Sequence, residues 1–155
     1  MSDFQDLPEE LILRILSYTE IKAFIRCGQV STRIRRISHD NSLWMTVNIE
    51  KKTVKTELLE MILRKGCMIL NITNSAIIGG LEWGEWSSNI KSQLRILKLS
   101  QIDPSIGYDV IEELLASCYS LQHLAMEGLQ ITPRMTDSIC YNSKTLQILD
   151  LRKCE

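Results

Sequence analysis

The sequence has no apolar run long enough to cross a membrane: stretches such as 67–70 and 76–81 fall far short of the roughly 20 residues a spanning helix needs. It also lacks an excess of either charge. With 18 basic residues against 19 acidic ones there is no global positive field to attract nucleic acid, so neither a nucleic acid nor a membrane is an expected partner. The first six residues are acidic and no apolar core follows them, so a secretory signal is not expected and the chain reads as intracellular, in the cytoplasm, the nucleus or both. Paired cysteine motifs are missing too. Cys27, Cys67, Cys118, Cys140 and Cys154 form an odd, scattered set, read as free buried thiols in a reducing compartment. No Cys-x-x-Cys and no closely spaced histidine pair offers zinc-ligand geometry, so no metal and no cofactor is expected. No Lys-Ser or Lys-Thr follows Gly79, Gly80 and Gly84 with the strand and helix context of a phosphate-binding loop. Cys118 and His123 are close in sequence but fall at a helix end and on a strand face, a poor basis for a thiol catalyst. No enzyme chemistry is visible.

Valine and phenylalanine are scarce as well, at four and two residues, whereas leucine and isoleucine together supply 41. A core built from aliphatic chains of one size suggests repeated packing layers. The string Leu94-Arg95-Ile96-Leu97-Lys98-Leu99 recurs as Leu121-Gln122-His123-Leu124-Ala125-Met126 and as Leu146-Gln147-Ile148-Leu149-Asp150-Leu151. These copies start 27 and 25 residues apart, and a weaker one, Cys67-Met68-Ile69-Leu70-Asn71-Ile72, starts 27 residues before the first. Both spacings lie within the roughly 20–29 residues of leucine-rich repeats. The fourth and sixth positions share one face of a strand, since side chains alternate with period two. Cys154 follows Leu151 by three residues, where such repeats place Asn or Cys to satisfy turning backbone.

Between the strands the apolar period becomes helical. Residues 56–66 carry Leu58, Leu59, Ile62 and Leu63 before a capping Gly66, residues 108–119 carry Val110, Ile111, Leu114, Leu115 and Cys118, and Pro133 can open a helix with Met135, Ile139 and Cys140. The stretch 79–92, with Trp83 and Trp86, lacks this pattern and reads as an irregular connection. Residues 50–155 are therefore expected to form about three to four repeats of a short α/β solenoid, with a parallel sheet on its concave face. The last strand has no helix after it, so the solenoid is expected to be open at its C-terminus, a truncated product or a piece of a longer receptor.

Residues 7–49 read differently, as three short helices followed by a short extended run, Val47-Asn48-Ile49. Pro8 suits a first helical position with Glu9 and Glu10 behind it, and Leu11 with Ile15 and Ile12 with Leu16 make two i, i+4 apolar pairs. A second helix is expected over 20–27, and Ser31 can cap a third that carries Ile34 and Ile37.

The string Leu7-Pro8-Glu9-Glu10-Leu11-Ile12-Leu13-Arg14-Ile15-Leu16, continued by Ile21, Phe24, Val30, Ile37 and Ser42-Leu43-Trp44, resembles the F-box. Its position ahead of the repeats is similar to the order of F-box/leucine-rich-repeat proteins. Two departures are Lys22, where family members often keep Pro, and Ile34, where they often keep Trp. The resemblance implies a trihelical F-box over 1–49 and a non-catalytic substrate receptor of an SCF-type ubiquitin ligase. The F-box would dock on a Skp-type adaptor, and through it on a cullin–RING ligase, while the repeats hold an unidentified target protein. The adaptor-binding candidates are Leu7, Pro8, Leu11, Ile12, Ile15, Ile21, Phe24, Ile25, Val30, Leu43 and Trp44. The plainer alternative is that these residues pack the trihelical core or the first repeat. Lys98, Ser100, His123, Glu127, Asp150 and Arg152 are the candidates for a substrate platform. Their alternative is a solvated sheet face with Glu127 and Arg152 as an ordinary cross-strand pair. A competing function is a repeat-based binding or scaffold protein outside any ligase, or a truncated F-box product acting as a competitor.

Overall fold

The structure is a computed structural model that describes residues 4–79, 89–103 and 108–155. The irregular connection expected around Trp83 and Trp86 therefore lies outside the described residues. The chain divides into two compact units, Met1–Met45 and Thr46–Glu155.

The first unit contains α1 (Glu9–Ser17), α2 (Ile21–Val30) and α3 (Thr32–Ser38), with 3-10 turns at Phe4–Asp6 and Asn41–Trp44. Pro8 caps α1 rather than opening it: its carbonyl accepts from the Leu11 and Ile12 amides at 3.1 Å each. Ser31 caps α3 as expected, its hydroxyl accepting from the Ile34 amide. The second helix runs on to Val30 because Gly28 lets it approach α3 closely. A Cβ at that position would lie 2.9 Å from the Ser38 hydroxyl and 3.3 Å from the Arg35 Cα. Ile12, Leu16, Phe24, Ile34, Ile37, Leu43 and Trp44 are the buried apolar residues of this unit.

The second unit is a stack of strand–turn–helix repeats. Strands β1 (Thr46–Glu50), β3 (Ile69–Thr73), β5 (Ile96–Ser100), β6 (His123–Glu127) and β7 (Ile148–Asp150) form one parallel sheet in that order. Short β2 (Thr53–Lys55) and β4 (Ala76–Ile78) pair in a second parallel ladder. Among the described residues, helices α4 (Thr56–Arg64), α5 (Tyr108–Ala116) and α6 (Pro133–Tyr141) supply three of the crossovers that parallel strands require. Val47–Ile49, the extended run expected at the end of the first unit, lie in β1 and pair with Leu70–Ile72, so that run belongs to the sheet and the compact helical unit ends at Met45. The backbone ladder that strand makes with β3 is what carries it into the sheet.

The register explains the leucine spacing. Val47, Leu70, Leu97 and Leu124 lie side by side, as do Ile49, Ile72, Leu99 and Met126, and all are buried. Full burial of one such side chain contributes about 1.5–3 kcal/mol, so each layer is a strong constraint on register. Each strand is followed by a residue in left-handed backbone: Lys51, Asn74, Gln101, Gly128 and, beyond β7, Lys153. The amides of the first four donate to the Thr73, Ser100, Glu127 and Arg152 carbonyls at 3.0–3.2 Å, so the same turn is tied across every repeat boundary. Cys154 plays the part its spacing implied, its thiol donating to the Met126 carbonyl at 3.2 Å. Gly66 ends α4 with positive φ, and the Cys67 and Gly66 amides donate back to Ile62 and Leu63 in a Schellman arrangement. The reading of five buried thiols is corrected: Cys67 and Cys118 are buried, Cys27 and Cys154 are half-buried, and Cys140 is exposed on α6.

Candidate functional site

On α1 the two apolar pairs point different ways. Ile12 and Leu16 are 0% and 2% exposed, whereas Leu11 and Ile15 remain 47% and 42% exposed. Adjacent helical residues are separated by about 100°, so one pair can enter a trihelical core while the other stays on the outer surface. The core takes Ile12 and Leu16, with Trp44 set edge-on to Phe24 at a centroid distance of 5.2 Å. The Trp44 indole N–H donates to the Ser38 carbonyl at 3.0 Å, which removes the cost of burying that polar edge. The candidate adaptor-binding set therefore separates. Ile12, Phe24, Leu43 and Trp44 are buried in the domain and cannot form a contact surface while it stays folded. Pro8, Leu11, Ile15 and Val30 are exposed, and Leu7, Ile21 and Ile25 are half-buried.

Glu10 and Arg14, both exposed on α1, give this apolar surface a polar border. Glu9 pairs with Arg36 and lies 4.0 Å from Arg33, whose guanidinium also donates to the Leu7 carbonyl at 2.8 Å. These contacts fix the start of α1 against α3. Tyr18, not singled out from sequence, is exposed at the end of α1. Its signal was present, because residues 11, 15 and 18 follow the i, i+4, i+7 spacing of one helical stripe.

The open face of the large sheet carries the second candidate set. Asn48, Asn71, Lys98, Ala125 and Asp150 align across neighbouring strands, as do Thr46, Ile69, Ile96, His123 and Ile148. Thr73, Ser100 and Glu127 form the next row. Lys98 is exposed, and Ser100, His123, Glu127 and Asp150 are half-buried. Arg152 lies past the end of β7, and its guanidinium folds back to Asp150 at 2.9 Å. Glu127 pairs instead with Lys153 at 3.2 Å. The anticipated Glu127–Arg152 pair is thus replaced by two others, because Asp150 sits only two residues away on the same turn. The bond from Arg152 holds the Asp150 carboxyl below the usual carboxylate range, with His123 adding to the effect.

Cys118 and His123 do not come together as a catalytic pair. The Cys118 thiol donates to the Leu114 carbonyl at 3.1 Å, and burial pushes it up to about 12. A thiol that stays protonated there is a poor nucleophile. Among the described residues, no group of three His, Cys, Asp or Glu side chains is placed to hold a metal ion.

Comparison with known proteins meets this geometry at the N-terminus. Residues 4–50 match the family described as F-box-like. The chain is also 25% identical over 157 residues to F-box/LRR-repeat protein 12 of Bos taurus, an alignment that covers all of this chain and 41% of that protein. The narrower likeness to the S-phase kinase-associated F-box protein, read from residues 41–44 and 126–131 of the sequence, is not shown by these matches. Residues 4–50 thus carry the F-box-like match, and parallel leucine-rich strands follow in sequence.

Proposed function

We propose that this protein is a non-catalytic substrate adaptor of an SCF-type ubiquitin ligase, at work in the cytoplasm or the nucleus. Its helical unit docks on a Skp-type adaptor, which links it to a cullin–RING assembly, and its repeats hold a target protein. The observation that carries the reading is the exposure of Leu11 and Ile15 beside a pair on the same helix that is fully buried. Aliphatic anchors inside a polar border are the usual make-up of a protein interface. Pro8, Val30, Leu7, Ile21 and Ile25 are the further contact candidates, and Ile12, Phe24, Leu43 and Trp44 hold the helices that present them. Bringing a bound target near a ligase makes transfer effectively intramolecular, so the adaptor needs no reactive group of its own.

Co-purification tests the reading in two steps. The tagged chain should retain a Skp-type adaptor, and adding a cullin–RING pair should extend the complex. Loss of the first step contradicts the docking claim. Adaptor binding without entry of the cullin favours a binding protein that works outside a ligase.

A further inference from the structure

The repeat unit contains a cleft that none of the roles above uses. It lies at the N-terminal ends of the strands and has a volume of about 870 Å³. Met68 precedes β3, Lys91 and Arg95 precede β5, Tyr119 and Ser120 precede β6, and Tyr141 ends α6. Four successive segments thus bring together residues that no local sequence motif connects.

The chemistry of the lining is one-sided. Among the described residues, Lys91 and Arg95 are its charged groups, no carboxylate joins them, and neither has an ion-pair partner. This stands out in a chain whose formal net charge is −1, because bulk charge gives no attraction for an anion. The opposite wall is aromatic. Tyr119 and Tyr141 meet edge to face at a centroid distance of 5.6 Å, and both rings are exposed. Cations beside an exposed aromatic pair suit a ligand that is anionic at one point and apolar at the next. The cleft is half open, and small-molecule sites usually bury most of their ligand. An extended chain lying along the cleft fits better than a free metabolite.

We infer that the cleft formed by Lys91, Arg95, Tyr119 and Tyr141 binds an acidic peptide segment of a partner protein, seating a carboxylate between the two cations and an adjacent aromatic or large aliphatic side chain on the tyrosine pair. That the partner is the ligase target rests on the function proposed above; the peptide site itself does not.

The test uses the purified full chain and fluorescein-labelled peptides read by anisotropy. One peptide alternates Glu with Phe, a second replaces every Phe by Gly, and a third replaces every Glu by Lys. The first should bind, and raising the salt from low to high should weaken it. The second should bind at least tenfold more weakly, and the third not at all. Lys91→Glu with Arg95→Glu should cost tenfold or more, Tyr141→Ala should cost several-fold, and Lys55→Glu, exposed on β2, should change nothing. Equal losses from Lys55→Glu would mean diffuse attraction and overturn the site, as would unchanged binding in the double charge reversal. Retention of a Skp-type adaptor, measured on the same variants, should be unaffected, so the failure of one proposal is distinguishable from the failure of the other.

Discussion

Arg134→Met removes a charge while keeping most of the side-chain volume, at a place where two carboxylates depend on it. Glu113 and Glu112 on α5 have side chains only 2% and 10% exposed, and the Arg134 guanidinium on α6 reaches them at 2.5 and 3.5 Å. Thr132 adds a hydrogen bond to Glu112 at 2.6 Å while its hydroxyl also accepts from the Met135 amide at 3.2 Å, capping α6. Breaking a buried ion pair by removing one partner costs about 3–5 kcal/mol. The guanidinium is 37% exposed, so solvent screening lowers the expected loss to about 2–3 kcal/mol. In urea, followed by circular dichroism on the full chain, the midpoint should fall by about 1–2 M. Glu113→Gln on the Arg134→Met background should recover a good part of that loss, because it removes the stranded charge. A loss below about 0.5 kcal/mol, as for an ordinary surface pair, would refute the view that this cluster locks two repeats together, and so would a double variant no more stable than Arg134→Met.

Two glycines with positive φ should respond differently to alanine. Gly128→Ala meets open space and should cost only the left-handed backbone penalty of about 1–2 kcal/mol, whereas Gly79→Ala places a Cβ 2.5 Å from the Thr56 hydroxyl and should cost clearly more in the same urea titration. Ellman's reagent at mild alkaline pH should label Cys140 quickly in the folded chain and leave Cys67 and Cys118 unreacted until it unfolds. Burial raises both of those thiols from 9.0 to about 12. Their stabilising contribution is therefore complete below pH 9 and is lost as pH rises toward 12, so urea midpoints should fall across that window. Cys67→Ala with Cys118→Ala should flatten that fall, and an unchanged slope would contradict the assignment.

The repeats were legible in the sequence because each strand buries its fourth and sixth motif positions, and register in a half-buried sheet is set by that alternation. The same alternation sets Lys98, Ala125 and Asp150 in one row. β2 and β4 were not legible, since a three-residue strand with one buried residue, Val54 or Ile77, has no period to read. β1 reads from sequence as an extended run, but its place in the sheet does not show, because Trp44-x-x-Val47-x-Ile49 is only a degenerate copy of the repeat motif. The division of the α1 surface could not be read either. Leu11 with Ile15 and Ile12 with Leu16 are equivalent as patterns, and only the packing of the helices chooses the buried pair. Local competition decided the pairing of Arg152, and the cleft at Lys91 and Tyr141 depends on loops far apart in sequence.

The central claim is that α1 presents one apolar pair to a partner while the other holds the domain together. It is tested most directly by titrating a purified Skp-type adaptor into the full chain and into Leu11→Asp, Ile15→Asp and their double variant, with urea midpoints measured alongside. Each side chain should bury enough apolar surface at the interface to contribute about 1 kcal/mol or more, so the double variant should bind at least about 30-fold more weakly with its midpoint almost unchanged. Adaptor affinity that survives both substitutions, in a chain that remains folded, would contradict the account.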